Sequence, residues 1–389
     1  MKPLRIGLIG YKFMGRTHSN AWRQAGHFFD LPYQPELHTL CGRDLQGVQT
    51  AAEQLGWAHT ETDWRKVVEN PEIDVVDIST ANDTHAEIAL AAAKQGKAIL
   101  CEKPLALNLK EAKVMRDAVL KSGVVNMVCH NYRRIPAMAQ ARRMIERGDL
   151  GKIYHYRARY LQDWIVDPSF PLVWRLQGKL AGSGTHGDIN AHIIDLGRYL
   201  IGEIDEVCGL METFIKQRPL TGAEAGRMSK AAKGKKRSQP MGEVTVDDAV
   251  LAIGRFQNGA LLNLEASRFA LGRKNGIQIE INGSQGSLLF DFEDMNRLKF
   301  FNNRDASDAQ GFRDILVTES VHPYAGQWWP PGHIIGYEHT FVHTIVDFIH
   351  AFKKGQSVQP TFEDGYRNQC VLDAIETSSR RRSWVKVKI

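Results

Sequence analysis

Residues 5–22 read RIGLIGYKFMGRTHSNAW, an apolar run that ends in a glycine turn and opens onto a helical pattern. A buried strand feeding a helix through a tight turn is the first unit of a parallel sheet, and it commits this end of the chain to an α/β architecture. Gly10 and Gly15 stand at the first and third places of the G-x-G-x-x-G dinucleotide fingerprint, with Lys12 in the middle place and Phe13 and Met14 completing the turn. A glycine at the middle place normally lets the backbone approach a pyrophosphate closely. A lysine forgoes that approach but sets an ammonium beside a helix N-terminus, whose free N–H groups already favour anions. The competing reading is a Lys12 that points into solvent, and the turn alone does not separate the two.

The turn has a context that gives it meaning. Strand patterns at Arg5–Gly10, Glu36–Cys41, Val75–Ser79, Ala98–Cys101 and Val125–Cys129 alternate with amphipathic stretches such as HAEIALAAAKQGK and LKEAKVMRDAVLKSG, each stopped by a glycine near a lysine. Residues 1–130 are therefore expected to form a doubly wound, parallel Rossmann sheet. The group that reads the adenosine ribose belongs at the end of the second strand, where the chain has Gly42, Arg43 and Asp44. An acidic strand end favours NAD, whereas Gly42 followed by Arg43 leaves room and charge for the 2'-phosphate of NADP. Asp44 lies two residues late yet within reach of the loop, so NAD versus NADP stays open. Thr80 and Asn82 follow the third strand on the cofactor side, and His85 reads as helix-entry structure beside the cofactor.

At 389 residues the chain exceeds what one hydrophobic core fills, roughly 250–300 residues, and a second domain is expected over residues 131–389. There the strand patterns KIYHYRARYLQ, AVLAIGRF, GALLNLEASRF, NGIQIEINGSQGSLLFDF and RLKFF are joined by Gly/Asn turns, which predicts a mostly antiparallel sheet. Helices are predicted at Pro136–Gly148, Asp188–Ile201, Glu338–Lys354 and Asp364–Arg380, the last packing back on the N-terminal domain, and SWVKVKI closes the chain as a strand. No apolar run approaches the ~20 residues of a membrane span. The five cysteines form no C-x-x-C pair, so neither a disulfide framework nor a thiolate zinc site is expected, and a reducing cytoplasm is the expected home. No His/Asp/Glu cluster has metal spacing, and no metal is expected. Much of the net charge of +6 lies in residues 216–239; KAAKGKKR there lacks stacking aromatics and reads as a solvated loop between strands instead of a nucleic-acid tail.

Three stretches carry the chemistry: ISTANDTHAEIALAAAKQGKAILCEKPLA (78–106), VCHNYRRIPA (128–137) and AGSGTHGDINAHIIDLGRYLIGE (181–203). With the N-terminal turn they resemble the family of glucose–fructose oxidoreductase, inositol dehydrogenase and rhizopine-catabolism proteins, Gfo/Idh/MocA, over nearly the full length. GYKFMGRTHSNA and RYLQDWIVDPSFPLVWRLQ look closest to the family's sugar 3-dehydrogenases, levoglucosan dehydrogenases among them. The resemblance implies an N-terminal Rossmann domain and a C-terminal α/β domain whose large open sheet serves oligomerisation, here a homodimer or homotetramer. It places the catalytic lysine of E-K-P on Lys103, the aspartate on Asp188 and the histidine on His192. The chain departs from the family at Lys12 and at Gly42.

The same residues make chemical sense unaided. Oxidising a secondary alcohol removes a hydroxyl proton and transfers a hydride, and an imidazole suits the proton. Asp188 and His192 are four apart, so a helix puts them on one face, where Asp188 either orients the imidazole or holds a neighbouring substrate hydroxyl. His192 borders the apolar stripe of Ile189, Ile193, Leu196 and Leu200. The Lys103 charge can stabilise a developing alkoxide. Glu102 either pairs with a cation or touches the nicotinamide ribose. Tyr132, Arg133, Asp163, Trp164, Arg175 and His186 are the substrate-side candidates, supplying hydrogen-bonding groups and aromatic faces for a sugar; Trp164 and Trp174 are equally readable as core aromatics. WWPPGH (328–333) is either a lid or a brace. The expected activity is NAD(P)-dependent oxidation of a ring hydroxyl of a sugar, glycoside or cyclic polyol, C3 of a pyranose such as levoglucosan among them. Hydrolysis of a glycoside with a retained NAD uses the same first step and stays open. A cofactor- or sugar-sensing regulator fits less well, because the three reactive residues are all retained. No nucleic acid or membrane partner is expected.

Overall fold

The computed structural model describes residues 2–220 and 240–389, and statements of absence below refer to these. KAAKGKKR lies outside them. The N-terminal elements are β1 (Pro3–Ile9), α1 (Phe13–Phe28), β2 (Gln34–Cys41), α2 (Leu45–Leu55), β3 (His59–Glu61), α3 (Trp64–Glu69), β4 (Val75–Ile78), α4 (His85–Lys94), β5 (Ala98–Cys101), α5 (Leu109–Ser122) and β6 (Asn126–Val128). They build a six-stranded, all-parallel sheet in the order β3-β2-β1-β4-β5-β6, reversing direction of growth beside β1. That reversal opens a crevice at the carboxyl ends of β1 and β4, where ligands of doubly wound sheets bind. β3, at the sheet edge, has only three residues and no long apolar run, which is why the strand pattern missed it. β4 and β5 are buried throughout, as both faces of a parallel sheet demand.

The second unit begins with α6 (Pro136–Glu146) and β7 (Ile153–Leu161). α7 (Gly178–Ala181) and α8 (Ala191–Leu200) follow, then β8 (Ile204–Glu212), β9 (Gln217–Pro219), β10 (Met241–Glu243), β11 (Ala249–Phe256), β12 (Leu261–Ser267), β13 (Gly276–Gly283), β14 (Gly286–Asp291), β15 (Arg297–Asn302) and β16 (Arg313–Leu316). α9 (Tyr337–Lys354), α10 (Phe362–Arg381) and β17 (Val385–Lys386) end the chain. Nine strands form one open sheet, β16-β15-β14-β13-β7-β12-β11-β8-β17, antiparallel except for the central β7–β12 pair. β9 and β10 pair separately, so residues 217–219 of the basic stretch are strand and not loop.

One face of the large sheet is covered by α6, α8 and α10, with Tyr156, Phe256, Ile279, Phe290 and Leu298 in the shared core. The other face is open: β11 alternates buried Val250 and Ala252 with exposed Leu251 and Ile253, and exposed Leu210, Leu261 and Trp384 extend the patch. The two C-terminal helices tie the halves together. α9 buries Phe341, Ile345 and Phe348 with Trp22 and Leu100, and α10 buries Phe362, Tyr366 and Cys370 against the α5 side of the parallel sheet. Trp328 of WWPPGH is wedged among Phe28, Phe29 and His343, and its indole N–H donates to His343 at 2.8 Å. The segment is a brace between α1 and α9, not a lid.

Candidate active site

Where the two units meet lies a cleft of about 1090 Å³. Its Rossmann wall carries Gly10, Lys12, Phe13 and Met14, then Gly42, Arg43, Asp44, Thr80 and Asn82, and finally Glu102 and Lys103. The opposite wall carries Tyr132, Trp164, Arg175, Asp188 and His192, with Tyr160, Gln162, Trp174, Arg268 and Asn275, none of these last five placed there by sequence pattern except Trp174.

The glycine turn fits a dinucleotide. Gly10 has φ +107°, and a Cβ there would stand 2.5 Å from the Ser79 carbonyl oxygen. A Cβ on Gly15 would stand 1.9 Å from the Gly10 carbonyl oxygen, so the first turn of α1 is pressed against the strand end as only glycine allows. No side chain caps α1, which leaves its N-terminal N–H groups turned to the cleft for an anion. The strand end differs from expectation. A Cβ on Gly42 would lie 2.2 Å from the Tyr11 ring, so the space that glycine leaves is filled by an aromatic ring and not kept for a phosphate. Asp44 caps α2, its Oδ2 accepting from Gly47 N at 3.0 Å, while still lining the cleft.

Lys103 and Asp188 meet across the seam. The ammonium donates to the Asp188 carbonyl oxygen at 2.7 Å and to Oδ1 at 2.9 Å. Arg268 donates to the other carboxylate oxygen. Burial alone would raise the Asp188 pKa, but the Lys103 and Arg268 charges outweigh it and hold the carboxyl well below its ordinary range. The carboxylate is therefore spent on two cations and makes no hydrogen bond to His192, contrary to the imidazole-orienting alternative. Asp188 lies in a π-turn, His186–Asn190, that leads into α8 where a regular helix was expected; such widened turns recur at functional sites. His192 lines the cleft with its Nδ1 buried and unpartnered. Its ring sits 4.5 Å from that of Tyr132. Burial, then the Lys103 charge, depress its pKa well below 6.5, so the imidazole is neutral and able to accept a proton.

Behind Lys103 is a charge network that the sequence reading missed. His18, on the inner face of α1, donates from Nδ1 to Asp77 at 2.9 Å and from Nε2 to Glu102 at 3.0 Å. Trp22 Nε1 also donates to Asp77, at 2.7 Å. Burial alone would depress the His18 pKa, but the Asp77 charge overrides it and holds the imidazole well above its ordinary range, as an imidazolium. Glu102 is thereby the cation partner foreseen as one alternative, its second oxygen accepting from Lys103 N at 3.1 Å. His18, Glu102 and Cys129 are the one group of potential metal ligands among the described residues, and metal spacing along the chain did not reveal it. Both His18 nitrogens are occupied by carboxylates, so the donor set fits a proton better than a metal ion.

The sugar-side candidates divide. Tyr132, Trp164 and Arg175 reach the cleft, the Arg175 guanidinium lying 4.4 Å from the Trp174 ring centre. Trp164 serves both readings, packing edge-on against Phe170 and lining the cleft. A ladder of hydrogen bonds runs along this wall: Tyr132 and Tyr160 hydroxyls at 3.1 Å, Tyr160 to Asn275 at 2.6 Å, Gln162 to Asn275 and Trp164 to Gln162 at 2.9 Å each. Arg133, Asp163 and His186 do not reach the cleft, and neither does His85, the candidate beside the cofactor. Arg133 is buried in a fork with Asp195, at 2.6 and 2.7 Å, and touches Asp364. Asp163 holds Lys274 and Gly272 in a loop. His186 faces the Leu372 carbonyl at 2.9 Å and Asn190 at 3.1 Å, bracing the π-turn. His85 lies between the Thr80 and Pro104 carbonyls, tying the β4 loop to the lysine turn.

Comparison with known proteins follows this geometry. Residues 4–130 match the model of the oxidoreductase family with NAD-binding Rossmann fold, and residues 138–289 match the GFO/IDH/MocA C-terminal domain. A curated relative, levoglucosan dehydrogenase of Pseudarthrobacter phenanthrenivorans, is 43% identical over 389 residues, covering 100% of this chain and 99% of that one. The crystal structure of an oxidoreductase domain protein from Kribbella flavida is 51% identical with a TM-score of 0.93, each chain covered completely (100%). A levoglucosan dehydrogenase structure, in complex with NADH and levoglucosan, is 42% identical with a TM-score of 0.93, again over 100% of both chains. The parallel sheet with its glycine turn, the open antiparallel sheet and the cleft between them are thus those of an oxidoreductase of the Gfo/Idh/MocA family, to which this chain belongs.

Proposed function

We propose that the protein is an NAD-dependent dehydrogenase that oxidises one ring hydroxyl of a sugar or cyclic polyol to a ketone, with C3 of a pyranose as the favoured position. One observation carries the reading: an ammonium, a carboxylate and a neutral imidazole from two domains line a single cleft that begins at the glycine turn. Bound NAD supplies the hydride acceptor. His192 takes the hydroxyl proton on its cleft-facing nitrogen, and the Lys103 ammonium stabilises the oxygen as negative charge develops. Asp188 fixes the ammonium through two hydrogen bonds. The ladder from Tyr132 to Trp164 offers alternating donors and acceptors for neighbouring hydroxyls, and the Trp164 and Trp174 rings suit the C–H face of a pyranose. NAD is preferred to NADP because Tyr11 occupies the space over Gly42. In this reading residues 1–130 serve the nucleotide and residues 131–389 serve the sugar and self-association.

The test is a panel of levoglucosan, glucose, myo-inositol and scyllo-inositol against NAD and NADP, followed at 340 nm. Accumulating NADH with at least one member supports the reading; aglycone release from glycosides without net NADH would assign hydrolysis instead. Lys103→Met and His192→Ala should each abolish most turnover while NADH still binds, and near wild-type kcat in both overturns the assignment.

A further inference from the structure

We propose that Arg268 is a positioning residue of the reaction centre, holding the Asp188 carboxylate so that Lys103 keeps its positive charge available to the substrate oxygen. This rests on the roles given above to Lys103, Asp188 and His192. Arg268 follows β12, and its guanidinium is only 1% exposed, yet it lines the cleft. Its one carboxylate partner is Asp188. Nε and Nη1 are buried and have no partner among the described residues. Trp164 covers the guanidinium, its ring centre 5.1 Å from Cζ.

Two other buried arginines, Arg133 and Arg198, show what a structural role looks like. Arg133 forms a fork with Asp195 and reaches Asp364. Arg198 forms a fork with Glu203, at 2.9 Å on both arms, and donates to the Asp364 carbonyl. Neither leaves a fully buried nitrogen without a partner; Arg134 and Arg218 leave one each, and Arg268 leaves two, Nε and Nη1. A buried guanidinium with unmet donors does not stabilise a core. Its position is explained by the carboxylate it holds. Lys103 and Asp188 alone would form a neutral pair with little pull on a developing alkoxide. With Arg268 sharing the carboxylate, two cations face one anion and the centre keeps a surplus positive charge. The same surplus favours the neutral form of His192, the form that accepts a proton.

The experiment compares Arg268→Met and Arg268→Lys with wild type, Lys103→Met and His192→Ala, using the sugar of the panel above that is oxidised fastest. Arg268→Met is expected to lower kcat by about 10²-fold, the scale set by removing one preorganised charge-stabilising donor. NADH binding, read by fluorescence titration, stays unchanged, and the thermal midpoint stays level or rises. Arg268→Lys restores part of kcat, and the acid limb of the pH–rate profile moves up in Arg268→Met. Wild-type kcat in Arg268→Met overturns the proposal, as does a loss of kcat accompanied by equal losses of NADH binding and thermal stability. Turnover retained in Lys103→Met and His192→Ala would refute the underlying reading instead, so the two failures are distinguishable.

Discussion

Replacing His18 with leucine removes the cation between two buried carboxylates and leaves the volume filled. Asp77 and Glu102 are 0% and 4% exposed, so neither charge can turn to solvent. Breaking a buried ion pair by deleting one partner costs about 3–5 kcal/mol. At about 2 °C per kcal/mol for a chain of this size, the thermal midpoint should fall by about 6–10 °C. The folded pKa of His18 lies above its unfolded value near 6.5, so its stabilisation is complete below that pH and fades as pH rises through the folded value. This part of the stability is therefore lost on the alkaline side. Calorimetry at neutral pH reads the midpoint, and NMR of the histidine ring protons reads whether His18 stays charged through neutrality. Adding Glu102→Gln to His18→Leu removes one stranded charge and should recover part of the loss. An unchanged midpoint in the single variant, no recovery in the double, or a His18 that titrates below 6.5 would each refute the reasoning.

Three further expectations follow from the site and the surface. Because burial and Lys103 depress the His192 pKa, the acid limb of kcat/KM for sugar should lie below pH 6.5, with activity lost only as the imidazole protonates there; a limb above 6.5 contradicts the assignment of the base. Gly42→Asp drives a Cβ into the Tyr11 ring at 2.2 Å, so titration should show NAD and NADP weakened together and not NADP alone. The open sheet face is the surface proposed to pair with a second copy, and Ile253→Glu, which puts a charge on an exposed apolar position, should shift sedimentation toward the monomer without lowering the thermal midpoint of each unit.

The parts legible in the sequence were those whose physics is local. The strand, turn and helix from Arg5 to Trp22 follow from an apolar run and two glycines; Lys103, Asp188 and His192 stand out through the resemblance of E-K-P and D-x-x-x-H to the family's motifs, with the i,i+4 spacing of Asp188 and His192 as the local part of that signal. What escaped depends on distant partners. Arg133 looked like a sugar ligand because it follows the last parallel strand, but it pairs with Asp195 and Asp364, 62 and 231 positions away. Arg268 ends an ordinary strand pattern, EASRF, and becomes significant only because the sheet brings it to Asp188, 80 positions distant. His18 sits on the inward stripe of α1 with Ser19, Trp22 and Ala25; a histidine at an apolar helical position was the available signal, yet nothing local predicts carboxylates on β4 and after β5 to receive it. Gly42 was read as open space because the Tyr11 ring that fills it comes from another loop.

The bond from Lys103 to Asp188 joins a side chain of one lobe to the backbone and carboxylate of the other. Under the proposed mechanism turnover therefore demands that both lobes be docked in register, because neither alone presents the ammonium fixed by its carboxylate.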